Sequence, residues 1–225
     1  DSNMAVTSGA GADAITLGTG SDTVTSGAGN DTITGTTGGS NVIDTGAGVD
    51  TMVLSASVSE NVSMGAGNDI ITGGGNLDAL DTIDGGDGTD TLTVSATLTG
   101  GTVIGGVSNI EVIKPIGNIT VTATGDMGGA SVYNLTEDTG AHTLTLGTAT
   151  APYSKATTVV LTGQANASTE VINATYSAGA LTVQGLSTDF DNGLAITGSA
   201  GSDTLEITAA GASNLDDVVK VETVK

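Results

Sequence analysis

Gly65-Ala66-Gly67-Asn68-Asp69-Ile70-Ile71 and Gly85-Gly86-Asp87-Gly88-Thr89-Asp90-Thr91-Leu92-Thr93 are two copies of one pattern. Earlier copies are Gly9-Ala10-Gly11-Ala12-Asp13-Ala14-Ile15, Gly18-Thr19-Gly20-Ser21-Asp22-Thr23-Val24, Gly27-Ala28-Gly29-Asn30-Asp31-Thr32-Ile33 and Gly46-Ala47-Gly48-Val49-Asp50-Thr51-Met52. They set a nine-residue period over the first 93 residues. Repetition at a fixed short period means that one small unit is stacked many times. The glycines permit tight turns that other residues resist. The apolar residue two places after each Asp opens a short strand and points inward.

The segment from Gly85 to Thr93 fits G-G-x-G-x-D-x-U-x at every defined position, where U is a large apolar residue. These residues resemble the RTX (repeats-in-toxin) family of calcium-binding nonapeptides. The resemblance covers about 40% of the chain. It implies an all-β fold: a right-handed parallel β-roll, or β-solenoid, with two repeats per turn and several Ca²⁺ ions between turns. The chemistry suits that reading, since Asp supplies the hard anionic oxygen that Ca²⁺ prefers and glycine lets carbonyl oxygens face inward.

Two repeats per turn sort the acidic positions onto opposite edges. One edge carries Asp13, Asp31, Asp50, Asp69 and Asp90, each with a Gly two residues before it. The other carries Asp22, Asn41, Glu60 and Asp81, where the glycine pattern largely fails after Asp22. Every insertion that lengthens the period falls in a turn leading to this second edge. The expectation is an asymmetric roll. Its calcium ladder has ions between Asp13 and Asp31, Asp31 and Asp50, Asp50 and Asp69, and Asp69 and Asp90. The metal set includes Gly9, Gly11, Gly27, Gly29, Gly46, Gly48, Gly65, Gly67, Gly86 and Gly88. Asp22 is the leading ligand on the second edge, and Asp78, Asp81, Asp84 and Asp87 are extras near the longest insertion. Without metal, the same Asp residues would serve as turn caps.

Composition agrees with thin layers of small side chains. The chain has 225 residues, 36 Gly, no Cys, no Trp, one Phe and three Tyr. Stability therefore comes from neither disulfides nor a thick aromatic core. Against 25 Asp plus Glu stand four basic residues, for a net charge of −21. Such a chain has little with which to neutralise nucleic-acid phosphate or an anionic membrane. No apolar run approaches the ~18 residues of a spanning helix. The acidity reads either as a solvated, halophile-like surface or as a store of cation ligands.

The repeat stops at Val94, giving a roll over residues 1–94. Residues 95–200 hold alternating strands such as Ile119-Thr120-Val121-Thr122, Thr143-Leu144-Thr145-Leu146 and Thr157-Thr158-Val159-Val160-Leu161. An irregular solenoid or a β-sandwich is expected there. Residues 201–225 begin a further unit, since Gly201-Ser202-Asp203-Thr204-Leu205 echoes Gly88-Thr89-Asp90-Thr91-Leu92. With an opening Asp1-Ser2-Asn3-Met4, the chain reads as a segment of a larger modular protein.

Catalysis finds little support. The single His, His142, lies in a Thr/Leu strand and is expected to face solvent, and no G-x-S-x-G or H-E-x-x-H occurs. Asp189-Phe190-Asp191-Asn192-Gly193 starts like a calcium loop but lacks the closing Glu. The mixture of these turns with Thr- and Val-rich β segments resembles RTX-type bacterial S-layer proteins exported by type I secretion. The resemblance implies a secreted, non-enzymatic, cell-surface structural protein that folds in calcium and self-associates or meets other surface components. A stalk of a large RTX adhesin and the folding module of a secreted hydrolase are the alternatives.

Overall fold

The computed structural model describes residues 2–74, 76–95, 102–103, 106–117, 119–123, 132–134, 141–147, 149, 152–161, 170–185, 194–207, 218–219 and 223–224. Among them the regular structure is all β, with no helix. The chain divides into two compact units. The first comprises residues 1–97, 105–113 and 127–129, and the second comprises 98–104, 114–126 and 130–225.

The first unit contains the strands β1 (Ala5–Ala10), β2 (Ala14–Thr16), β3 (Thr23–Ala28), β4 (Thr32–Thr34), β5 (Gly38–Ala47), β6 (Thr51–Val53), β7 (Ser57–Ser63), β8 (Ile70–Gly74), β9 (Thr82–Asp84) and β10 (Thr91–Ser95), and a short strand Val107–Ser108 that pairs with β9. Odd-numbered strands form one sheet and even-numbered strands another, each in sequential order. All of the pairings are parallel. Parallel neighbours need a long return path, and here the path is the strand in the facing sheet. One circuit takes 18, 19, 19 and 21 residues in successive turns. The unit is a β-solenoid.

Its interior is two apolar ladders. Val6, Val24, Ile43, Val62 and Ile83 lie in register on the first sheet. Ile15, Ile33, Met52, Ile71 and Leu92 lie in register on the second. From Val24 and Ile33 onward these side chains are fully buried. Their neighbours Thr23, Thr25 and Thr32 point to solvent, as the two-residue strand period requires. A three-residue strand thus buries a single side chain, so no turn could hold its shape alone.

The second unit is also built from parallel strands. Ile119–Ala123, His142–Leu146, Glu170–Asn173, Ala195–Thr197 and Val218–Val219 pair in one sheet. Val132–Asn134, Thr157–Leu161, Leu181–Gly185, Thr204–Ile207 and Thr223–Val224 pair in the other. Of the two expectations for this region, the irregular solenoid is the one that forms. The usual sandwich is built of antiparallel sheets, whereas every described pairing here is parallel.

Strand His142–Leu146 corrects one expectation. His142 is buried, in phase with Leu144 and Leu146, while Thr143 and Thr145 are the outward residues. Its Nδ1 lies 3.1 Å from both carboxylate oxygens of Glu170, its register partner on the next strand. The period-two phase outranks polarity because an in-register acid compensates the ring.

Candidate calcium edge

The turns from β1 to β2, β3 to β4, β5 to β6, β7 to β8 and β9 to β10 carry the Gly-x-Gly-x-Asp segments, so the segments stack along one edge. Their glycines all have positive φ, from +93° to +153°. Stacking adds a second demand. A Cβ on Gly67 would lie 1.5 Å from the carbonyl oxygen of Gly48, and one on Gly48 would lie 1.8 Å from that of Gly29. Each glycine carbonyl is therefore set against the backbone of the next arm, closer than any side chain would allow.

The Asp side chains form a ladder on the same edge. The backbone N–H of Asp13 donates to Asp31 Oδ1 at 2.8 Å, Asp31 to Asp50 Oδ1 at 2.8 Å, Asp50 to Asp69 Oδ1 at 2.7 Å, and Asp69 to Asp90 Oδ1 at 2.8 Å. One oxygen of each carboxylate is thereby fixed. The other is not: Oδ2 of Asp31, Asp50, Asp69 and Asp90 is buried and accepts no hydrogen bond. All four residues are at most 1% exposed. A buried, unpartnered carboxylate oxygen is costly, and residues 1–113 contain no Lys, Arg or His to offset it. Burial, then the negative charges of Asp90 and Asp50, push Asp69 up to about 6 despite the hydrogen bond from Asp50 N–H. Burial, with Glu111 and Asp84 nearby, also raises Asp90.

The donor set fits Ca²⁺. Among the described residues no group of three or more Asp, Glu or His side chains converges on one point. Carboxylates from adjacent turns would leave the remaining positions to backbone carbonyls and water, a mixture that Ca²⁺ accepts with 6–8 oxygens. Nitrogen- and sulfur-preferring metals find no ligands here.

The opposite edge holds a second ladder with a different outcome. Met4 N–H donates to Asp22 Oδ1 at 2.8 Å, Asp22 to Asn41 Oδ1 at 3.0 Å, and Glu60 to Asp81 Oδ1 at 2.8 Å. Here the second oxygen of Asp22 and of Asp81 is also used. Asp22 Oδ2 accepts Gly18 N–H at 2.9 Å, and Asp81 Oδ2 accepts Asp78 N–H at 2.8 Å. Ser55 gives both its N–H and its hydroxyl to Glu60 Oε1. Burial raises Asp81 as well, offset in part by the N–H donors of Asp78 and Glu60. This is turn capping, in which the carboxylate holds its own loop closed.

The remaining candidates fall outside the ladder's interior. Asp78 Oδ1 accepts Leu80 N–H, and Asp84 Oδ1 accepts Gly86 N–H and the Asn109 side-chain amide. Asp87 is exposed on the outer face of its arm. In the second unit, Asp203 accepts Leu181 N–H, Ser199 N–H and the Ser199 hydroxyl, so its turn is of the capped kind. The segment Asp189-Phe190-Asp191-Asn192-Gly193 lies outside the described residues.

Two residues escaped the sequence reading. Glu111 continues the ladder, its Oε2 accepting Asp90 N–H at 2.8 Å. Asn109, at φ +50°, makes the turn before it. Ser108 pairs with Asp84, so this arm has two residues where the preceding one has five, and its Gly-x-Gly is gone. The signal was an acid just before Val112, where the next strand begins.

A family model described as the RTX calcium-binding nonapeptide repeat matches in four copies, over residues 7–39, 36–56 and 78–96. No curated protein and no solved structure matches the chain. Glycine arms, Asp ladder and family match coincide at the turns of Asp13, Asp31, Asp50 and Asp90, so the first unit carries RTX calcium-binding nonapeptide repeats.

Proposed function

We propose that this chain is a calcium-dependent structural segment of the bacterial cell surface, of the S-layer kind, whose first unit folds when calcium arrives outside the cell. The observation that carries the calcium reading is the row of buried, unpartnered Oδ2 atoms on Asp31, Asp50, Asp69 and Asp90. They match ions between Asp13 and Asp31, Asp31 and Asp50, Asp50 and Asp69, and Asp69 and Asp90. Each ion would take carboxylate oxygens from two turns and carbonyl oxygens from the glycine arms. The ion supplies the positive charge that residues 1–113 lack.

Secretion and folding then follow one rule. In a calcium-poor cytosol the carboxylates repel and the chain stays extended enough to export. At millimolar-order extracellular calcium the ladder closes. The role is non-enzymatic: stacked turns give a stiff body, and exposed acids leave room for further ions to bridge copies into a lattice.

Circular dichroism during calcium titration, with sizing in calcium and in chelator, tests this. β signal gained together with assembly supports a lattice segment. β signal gained by a chain that stays monomeric turns the reading to an adhesin stalk. β signal in the first unit indifferent to chelator removes the calcium ladder.

A further inference from the structure

The residue immediately before the first glycine of each arm occupies one equivalent position: Ser8, Ser26, Thr45, Met64 and Gly85. The equivalence is geometric, since a Cβ on Gly27, Gly46, Gly65 or Gly86 would meet the carbonyl oxygen of the matching glycine one turn back. Each of these residues also precedes its own ladder Asp by five positions. Where a hydroxyl is present, it donates along the stack. Ser8 Oγ reaches Ser26 O at 2.8 Å, Ser26 Oγ reaches Thr45 O at 3.0 Å, and Thr45 Oγ1 reaches Met64 O at 2.6 Å. Ser26 and Thr45 are completely buried.

Gly85 shows what this position faces. A side chain begun there would start 2.7 Å from Asp90 Oδ2, the unpartnered oxygen of that turn. Ser26 and Thr45 hold the same position, five residues before Asp31 and Asp50, and are buried on the Oδ2 side of the turn by this equivalence; a real Cβ needs more room than the 2.7 Å at Gly85, so the carboxylate of those turns lies farther off. A hydroxyl has one proton and two lone pairs. At Ser26 and Thr45 the proton is committed to the next carbonyl. What faces the carboxylate is an acceptor beside an acceptor, an arrangement that a cation between them satisfies.

We propose that Ser26 and Thr45 are oxygen donors to the calcium ions bound at Oδ2 of Asp31 and at Oδ2 of Asp50, and that Met64 and Gly85 offer no side-chain oxygen to the ions bound at Oδ2 of Asp69 and at Oδ2 of Asp90. The ladder is then graded, with the tighter sites toward its start. This inference rests on the calcium reading above.

The test uses the full chain with calcium, and with terbium as a luminescent stand-in whose decay in light and heavy water counts bound waters. Thr45→Val should keep the number of ions, weaken one binding step about tenfold and add about one bound water per chain. Thr45→Ser should restore both. A lower unfolding temperature in Thr45→Val with unchanged isotherm and hydration would make the hydroxyl merely structural and overturn the proposal. Should Thr45→Val fail to fold, Ser26→Ala carries the same two readouts. A wild-type chain that takes up neither ion fails the calcium reading itself, whereas uptake with identical variants fails only this inference.

Discussion

The two edges of the first unit share one hydrogen-bond rule and differ in one atom. On both, a backbone N–H donates to an acidic or amide side chain one turn ahead. On the glycine-armed edge the second carboxylate oxygen is left buried and unpartnered. On the other, at Asp22 and Asp81, it takes an N–H from its own loop. An acidic residue at the repeat position therefore does not by itself make a metal site. The loop decides: a looser loop turns an N–H toward the second carboxylate oxygen, and a glycine arm does not.

The sharpest break of this comparison is to fill an arm. Gly67→Ala places a Cβ 1.5 Å from Gly48 O at φ +153°. Neither backbone can yield without parting the stack. Calcium-induced β signal should be largely lost, as read by circular dichroism at saturating calcium. Full recovery at modestly higher calcium would show that the arms tolerate separation.

Next in size is the loss of a ladder carboxylate. Asp50→Asn keeps an oxygen for Asp31 N–H but removes the charge from the buried edge. One ion should be lost by calorimetric titration, and the calcium midpoint for folding should rise on the order of a hundredfold. An unchanged ion count would move the site away from Asp50.

Acidity separates the charged edge from the metal that neutralises it. In the calcium-free chain the folded-state pKa of Asp69 is raised to about 6 from an ordinary 3.8. The folded form binds the extra proton, so this contribution to stability is present below 3.8 and is lost as pH rises through about 6. Metal-free protein should therefore be more folded near about pH 4.5 than near about pH 7.5. With calcium the order reverses, because the ion favours the ionised carboxylate and protons compete with it. Circular dichroism at both pH values, with and without calcium, reads the crossing. Parallel behaviour in the two conditions would disconnect Asp69 from the ion.

Much of this was legible in the residues. The nine-residue period gave the rungs, and counting along it put Asn41 and Glu60 on the second ladder despite their different side chains. The alternation of Thr with Ile or Val gave the inward ladders. What the period could not show is where a loop's N–H groups turn, since Gly18, Ser55 and Asp78 serve their acids from different offsets. Irregular insertions erase the register that made the other edge readable. His142 was misread for a related reason. Its strand phase was visible, but the acid that makes burial tolerable lies 28 residues on, in another strand.

The smallest expected effect tests the capped edge directly. Asp22 accepts one N–H with each carboxylate oxygen, from Met4 and from Gly18. Asp22→Asn leaves one acceptor oxygen and sets an NH₂ against one of those donors, so a loop cap is lost. The cost should be about 1 kcal/mol, the usual scale for a capping side chain. It should appear as a modest drop in unfolding temperature in saturating calcium. The calcium stoichiometry should not change, because neither oxygen of Asp22 is spare. If Asp22→Asn instead loses an ion, as Asp50→Asn does, both edges bind metal. The capping N–H groups would then have to turn away from the carboxylate when the ion enters. The contrast between this variant and Asp50→Asn thus asks whether the state of the second oxygen, rather than the presence of an acid, marks a calcium turn in this solenoid.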